Sequence, residues 1–530
     1  MPRLAILGGD VVDGSGGPRR RADVLVDGDR IVAVGPAEPS WDAATVIDAR
    51  GLVIAPGFVD MHAHSDLALL RDGEHLAKLT QGVTTQVIGQ DGIGYAPVDD
   101  AALALVRRQI SAWNGDLADE DFTWRDMAGM LDRLARGIPT NAAVLVPQGN
   151  LRLLTVGAGD RRATPAEIDA MCGILDDSLA AGAVGMSSGL TYTPGMYADE
   201  DELVALCRVV AARGRYWAPH TRGYGGGALD AYREAIRIAG RAGCALHLTH
   251  ATMNFAPNRG RAGELLALVD VAVAEGIDVT LDTYPYLAGA TTLAALLPSW
   301  AHDGGPDATL ARLADAPTRA RIRDALDVTG SDGAHGEIVE WSAMQISGVG
   351  ESGPADAVGL TIAELTERAG RPPEDASDVA LDLMAADRLA TGILMHVGDE
   401  ANVREIMRHP RHTAGSDGIL VGARPHPRAW GTFARYLGHY ARELGVLTLE
   451  QAVQHLAATP ARRLGLTDRG LVREGHVADL VVFDPATVGA SSTYDEPRQR
   501  ATGIPWVVVA GELAIADGRR TDVLAGRVLS

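Results

Sequence analysis

Eight strand-like runs alternating with helical patterns over residues 56–465 predict an α/β fold, a TIM (β/α)8 barrel. Two other observations complete the expected architecture. Both ends of the chain are β-rich, and a long stretch, 287–410, separates the seventh and eighth strands.

Residues 1–55 read as short strands and turns. ADVLVDGDRIVAVG (22–35) places two apolar runs around a DGD turn, the pattern of a hairpin. The last segment, 466–530, is alike, with GHVADLVVFD and IPWVVVAGELAIADG. Two such ends around a different middle predict one small β-sandwich built from both termini.

The barrel strands are expected to end near His64 and to run at 83–89, 141–149, 181–189, 215–222, 244–251, 277–286 and 411–418. Helical patterns such as PAEIDAMCGILDDSLAAG, LDAYREAIRIAGRAG and GELLALVDVAVAEG separate several of them. A doubly wound open sheet is the competing fold, but no glycine-rich phosphate loop follows the first strand. Within 287–410, the helical patterns ATLARLADAPTRARIRDAL and VALDLMAADRLAT predict an inserted subdomain placed like a lid.

Net charge is −21, which argues against a nucleic-acid or anionic-membrane partner. Cys172, Cys207 and Cys244 have no zinc or redox spacing, and the N-terminus has no signal-peptide pattern. No apolar run approaches the roughly 18 residues of a membrane span. The expectation is a soluble cytoplasmic protein acting on a small molecule. Lys78 is the only lysine in the chain.

Functional side chains of such a barrel gather at the C-terminal ends of its strands. His62 and His64 end the first strand, and alternate residues of a strand share a face. Asp91 follows the second strand, His220 ends the fifth, His250 the sixth, and Asp417 the eighth. Taken singly, each has a bland alternative: the pair can be accidental, and Asp417 in GSDG can be a turn residue. Four histidines and two carboxylates at matched ends predict a metal site holding one or two ions. His247, His409 and His412 are read as structural. Ser187 and Ser188 also end a strand, but no G-x-S-x-G surrounds them, which disfavours a serine mechanism.

GFVDMHAHSD, GVTTQVIG, GAVGMSSGLTYTPG, DTYPYLAGATTL, GSDG and PHPRAWGTF together resemble the N-acyl-D-amino-acid deacylase (D-aminoacylase) family of the amidohydrolase superfamily. The resemblance covers nearly the whole chain. It implies zinc-dependent hydrolysis of the amide of N-acyl-D-amino acids, with His62, His64, His220 and His250 as metal ligands and Asp417 as the catalytic aspartate. The chain departs from the family pattern twice. Asp91 stands where the family commonly has a cysteine ligand, and its carboxylate is harder than thiolate but competent for zinc. Thr252 stands where a lysine often helps to hold the substrate carboxylate, leaving Arg428 of PHPR as the main clamp. Tyr192 is expected to donate to the substrate or to the forming oxyanion, with Tyr284, and less directly Tyr286, in the pocket wall. The competing activities are cyclic amide or imide hydrolysis, deamination, and a non-catalytic scaffold. The first would commonly use a carboxylated lysine on the fourth strand, and AGAVGMSSG contains none.

Overall fold

The computed structural model describes residues 3–38 and 41–530. Its centre is a barrel of eight parallel strands: β1 (Phe58–Asp60), β2 (Val83–Ile88), β3 (Asn141–Pro147), β4 (Gly185–Gly189), β5 (Tyr216–His220), β6 (Ala245–Leu248), β7 (Val279–Thr283) and β8 (His412–Ala414). Each pairs with its neighbours in chain order. All residues of β2, β3 and β4 are buried, as expected of parallel strands covered on both faces. The helical patterns between them form as the sequence predicts. Pro165–Ala180 starts with a capping box between Thr164 and Glu167, and Ala228–Ala242 stops at Gly243, whose φ is +66°.

The seam between β8 and β1 is closed in three ways. Met61 N–H donates to Ala414 O at 3.1 Å, and Asp417 N–H to His62 O at 2.8 Å. Beyond the strands proper, Ala63–His64 pairs in parallel with Gly418–Ile419. The third tie is ionic. Lys78 Nζ donates to Asp60 Oδ2 and to Ser416 Oγ, each at 2.7 Å, and Ser416 N–H donates to Asp60 Oδ1 at 2.8 Å. Lys78 and Asp60 are both fully buried. This cluster sits one or two residues from His62 and Asp417, so it fixes the two halves of the prospective site against each other.

Five strands from the N-terminal segment and four from the C-terminal segment build one nine-stranded sheet. The termini meet where Val53–Pro56 pairs antiparallel with Leu480–Phe483. Alternation along that strand divides two cores: Leu480 and Val482 pack with Leu4, Ile6 and Val24, whereas Val481 and Phe483 pack with Phe433 and Tyr436 beside the barrel. The expected hairpin is present, Arg20–Asp27 against Arg30–Gly35. The last strand is an exception to the sequence-based grouping of 466–530. Val528–Leu529 leaves this sheet and pairs with Ala142 and Ala143 of β3.

Between β7 and β8 the chain forms a three-stranded antiparallel sheet, with Gly392–His396 between Ala288–Thr292 and Met344–Gly348. Helices such as Pro306–Ala314 and Ala376–Ala386 cover it, with Leu313, Ile346 and Met384 in a core of their own. Helix Glu400–Met407, at the end of this stretch, packs instead on the barrel helix Ala262–Ala274. Among the described residues, no helix is long and apolar enough to cross a membrane.

Breaking a buried ion pair by removing one partner leaves an uncompensated charge, which costs about 3–5 kcal/mol. Lys78→Met is therefore expected to lower the denaturant midpoint markedly, and Asp60→Asn in the same chain to restore part of the loss. Unfolding curves of the single and double variants check this, and an unmoved midpoint in Lys78→Met would refute it.

Candidate metal centre

The barrel brings all six expected donors to one place. Two overlapping groups have donor atoms within 4.8 Å of one another: His62, His64, Asp91 and Asp417, and then Asp91, His220 and His250. Asp91 belongs to both. Its Oδ1 lies 3.6 Å from His62 Nε2, 3.5 Å from His250 Nε2 and 3.9 Å from His220 Nδ1, and its Oδ2 lies 3.5 Å from His64 Nε2. Asp417 Oδ1 is 3.2 Å from His64 Nε2 and 3.7 Å from His62 Nε2. Ligands at about 2.0–2.2 Å around a tetrahedral cation sit roughly 3.3–3.6 Å apart, close to these spacings.

Hydrogen bonding favours the same conclusion. Among the described residues, both ring nitrogens of His62 and Asp91 Oδ1 are buried without a hydrogen-bond partner. Such atoms cost free energy unless something else compensates them. His220 Nε2 lies 2.7 Å from Thr191 Oγ1; donating there leaves Nδ1, which faces Asp91 and His250, as a lone pair. Asp282 accepts the backbone N–H of His250 at 3.0 Å and holds His247 Nε2 at 2.9 Å. His247 is thus occupied inside the barrel; His412 is held against His455 and Tyr436, and His409 pairs with the exposed Asp270 outside it. The donor set fits a divalent cation.

Charge balance adds to this. Burial opposes the cationic form of His64, but Asp417 and Asp91 raise it to about 9. Burial pushes His220 well below its ordinary value, keeping it neutral. Burial would raise Asp91 and Asp417, yet His62 and its neighbours hold Asp91 down, and Arg428 with His62 holds Asp417 below the usual carboxylate range. Two ionised carboxylates thus face four imidazoles at the mouth of the barrel.

The backbone is strained at these positions. Asp91, His250 and Asp417 have φ of +56°, +32° and +48°. Asp91 is pressed against β4, where a Cβ on Gly189 would meet Asp91 O at 2.0 Å, so only glycine fits there.

A pocket opens over the donors, walled by Tyr192, Tyr224, Thr252, Phe255, Tyr284 and His335. The Tyr192 hydroxyl lies 3.1 Å from Thr291 Oγ1 and its ring centroid 4.7 Å from that of His220. Tyr286 turns away, onto His426 and Arg435. Arg428 is fully buried, with its guanidinium 4.4 Å over the Tyr284 ring and Nη2 2.9 Å from Asp417 Oδ1. Nη2 meets Asp417 as an ion pair, and none of the three guanidinium nitrogens has a hydrogen-bond acceptor among the described residues.

Sequence reasoning missed four residues. Tyr224 packs its ring 5.0 Å from His220 and 5.3 Å from His250, and its place four residues after His220 was the available signal. Trp113 lies 5.4 Å from His64, and His335 comes from the insertion to within 5.4 Å of Tyr224. Neither carries a motif. Lys78 was noticed only for being alone.

A family model described as the amidohydrolase family matches residues 45–515. The D-aminoacylase of Alcaligenes xylosoxydans xylosoxydans is 36% identical, over 99% of this chain and 97% of its own length. The chain belongs to the N-acyl-D-amino-acid deacylase family of amidohydrolases. The amidohydrolase is also similar in structure to an N-acyl-D-glutamate deacylase from Bordetella bronchiseptica, solved with zinc and a phosphonate mimic of the tetrahedral intermediate. That similarity has a TM-score of 0.82 and 34% identity, covering 100% of this chain and 99% of that one. A D-aminoacylase with a binuclear metal centre matches with a TM-score of 0.83 and 34% identity, over 99% of each chain.

Asp91 is the one residue common to both donor groups of this amidohydrolase. Asp91→Ala is therefore expected to lower metal content more than His64→Ala or His250→Ala, each of which removes a donor from one group. Elemental analysis of dialysed protein checks this, and equal content in the three variants would refute it.

Proposed function

We propose that the enzyme hydrolyses the amide bond of N-acyl-D-amino acids, releasing a carboxylate and a free D-amino acid, with one or two zinc ions held by His62, His64, Asp91, His220, His250 and Asp417. The observation that carries the proposal is the pair of donor groups sharing Asp91, at the floor of a pocket beside an unsatisfied buried guanidinium. The activities of the relatives above support the substrate class.

When bound, zinc supplies Lewis-acid polarisation of the scissile carbonyl and acidifies an attacking water. The remaining work falls to the chain. Asp417 lines the pocket and is ionised, so it can accept the proton of the attacking water and pass it to the departing nitrogen. Arg428, at 2.9 Å, holds the Asp417 carboxylate in place. Its guanidinium donors, without a hydrogen-bond acceptor among the described residues, can take the substrate carboxylate, a planar match that lysine could not offer. With Thr252 contributing no charge, that clamp rests on Arg428 alone. Tyr192 stays protonated, because burial and the nearby Asp91 raise its hydroxyl, and it can donate to the oxyanion as charge develops. Tyr284 supports the guanidinium through its ring face. Fixing the acyl group at the donors and the carboxylate at Arg428 leaves one side of the pocket for the side chain, which is how handedness would be read.

The first experiment is chiral quantification of amino acids released from a racemic N-acetyl amino-acid panel by zinc-supplemented enzyme. Release of D-amino acids alone is expected; release of the L series, or of ammonia, would overturn the proposal. Asp417→Asn is expected to reduce kcat about 10²–10⁴-fold, read on the best substrate of that panel. Full kcat in that variant would remove Asp417 from proton transfer.

A further inference from the structure

A second cavity shares Tyr192 with the metal pocket and plays no part in the chemistry above. Its inner end abuts the donor set. Thr191 bonds His220 Nε2 at 2.7 Å, and the Trp113 ring lies 5.4 Å from that of His64 and 4.8 Å from that of Tyr192. Beyond them the wall is largely carbon, including Leu105, Leu153, Ala295 and Leu389. At the outer end stand two exposed arginines, Arg108 and Arg388. Among the described residues no aspartate or glutamate lines this cavity, and Arg108 is ion-paired with Asp307 just outside it.

An amide has two halves, and the scissile carbonyl must sit at the donors. The amine half carries the carboxylate towards Arg428 and Tyr284, on the metal-pocket side. The acyl half then needs its own space, and the carbon-lined cavity behind Tyr192 is the adjoining one. We infer that this second cavity is an acyl-chain subsite, so that the enzyme prefers N-acyl-D-amino acids whose acyl group is a medium-length alkyl chain over N-acetyl substrates. The inference rests on the deacylase reading. The chain reaches the cavity past Tyr192, whose hydroxyl is tethered to Thr291 at 3.1 Å. Burying a methylene can raise affinity by up to about fourfold, so a chain that fills the cavity produces a steep dependence on length.

The test uses full-length, zinc-supplemented enzyme with the N-acetyl, N-butanoyl and N-octanoyl derivatives of the D-amino acid released fastest from the panel. kcat/KM is expected to rise at least tenfold from acetyl to octanoyl. Ala295→Trp and Leu153→Trp, which fill the cavity from two walls, are each expected to cut the octanoyl-to-acetyl ratio tenfold or more. A flat or falling series in the parent enzyme would overturn the subsite while leaving the deacylase reading intact. So would a rise that survives both tryptophan variants. No release from any N-acyl-D-amino acid would overturn the deacylase reading and the subsite with it.

Discussion

The buried contact of Lys78 with Asp60 and Ser416 joins the first barrel strand to the loop after the last, and the site depends on that junction. β1 is only three residues long and β8 likewise, so their own hydrogen bonds hold the seam weakly. Asp60 ends β1 two residues before His62, and Ser416 precedes Asp417. One ammonium therefore sets the distance between a histidine pair and the proposed acid–base carboxylate. A compact ammonium with three donors suits this position. A Cβ on Gly418 would meet Ser416 Oγ at 2.8 Å and Ala429 Cα and Lys78 Nζ at 3.0 Å, so the space around the ammonium is tight. That gives a physical reason for a lone lysine in a chain that otherwise uses arginine.

Above this junction, Asp91 organises the donors. A carboxylate presents two oxygens where a thiolate presents one atom, and here they divide the work. Oδ1 faces His62, His220 and His250, while Oδ2 faces His64. The left-handed backbone at Asp91, His250 and Asp417 turns these side chains inward from loops that would otherwise run outward. Strain of that kind costs on the order of 1–3 kcal/mol per residue. The close glycine contacts at Gly189 and Gly418 show how tightly the surrounding loops hold it in place.

Much of this is legible in the sequence. The βα alternation and the polar residues at strand ends located the barrel and gathered all six donors, because parallel strands all present their C-terminal ends to one face. Arg428 and Tyr284 were found through the motifs that contain them, but their stacking was not. Trp113, Tyr224 and His335 escaped for a common reason. Their side chains reach the site from a short helix (Trp113), a loop (Tyr224) and the insertion (His335), and tertiary packing places them without any periodicity in the sequence. The final strand, Val528–Leu529, was assigned with the other C-terminal strands because a short apolar run does not say which sheet edge it will find.

In the proposed mechanism, threonine at position 252 concentrates two electrostatic tasks on Arg428. Its Nη2 lies 2.9 Å from Asp417, and none of its nitrogens has a hydrogen-bond acceptor among the described residues, so the same guanidinium would meet a substrate carboxylate. Burial makes both interactions strong, since no water competes for the guanidinium. It also couples them. A substrate carboxylate arriving at the guanidinium would share the positive charge that holds Asp417 below the usual carboxylate range, and so would raise the basicity of the group proposed to take up the proton. A second cation at position 252 would have weakened that coupling by holding part of the substrate charge elsewhere. With threonine at position 252, the proposed mechanism ties recognition more closely to proton transfer.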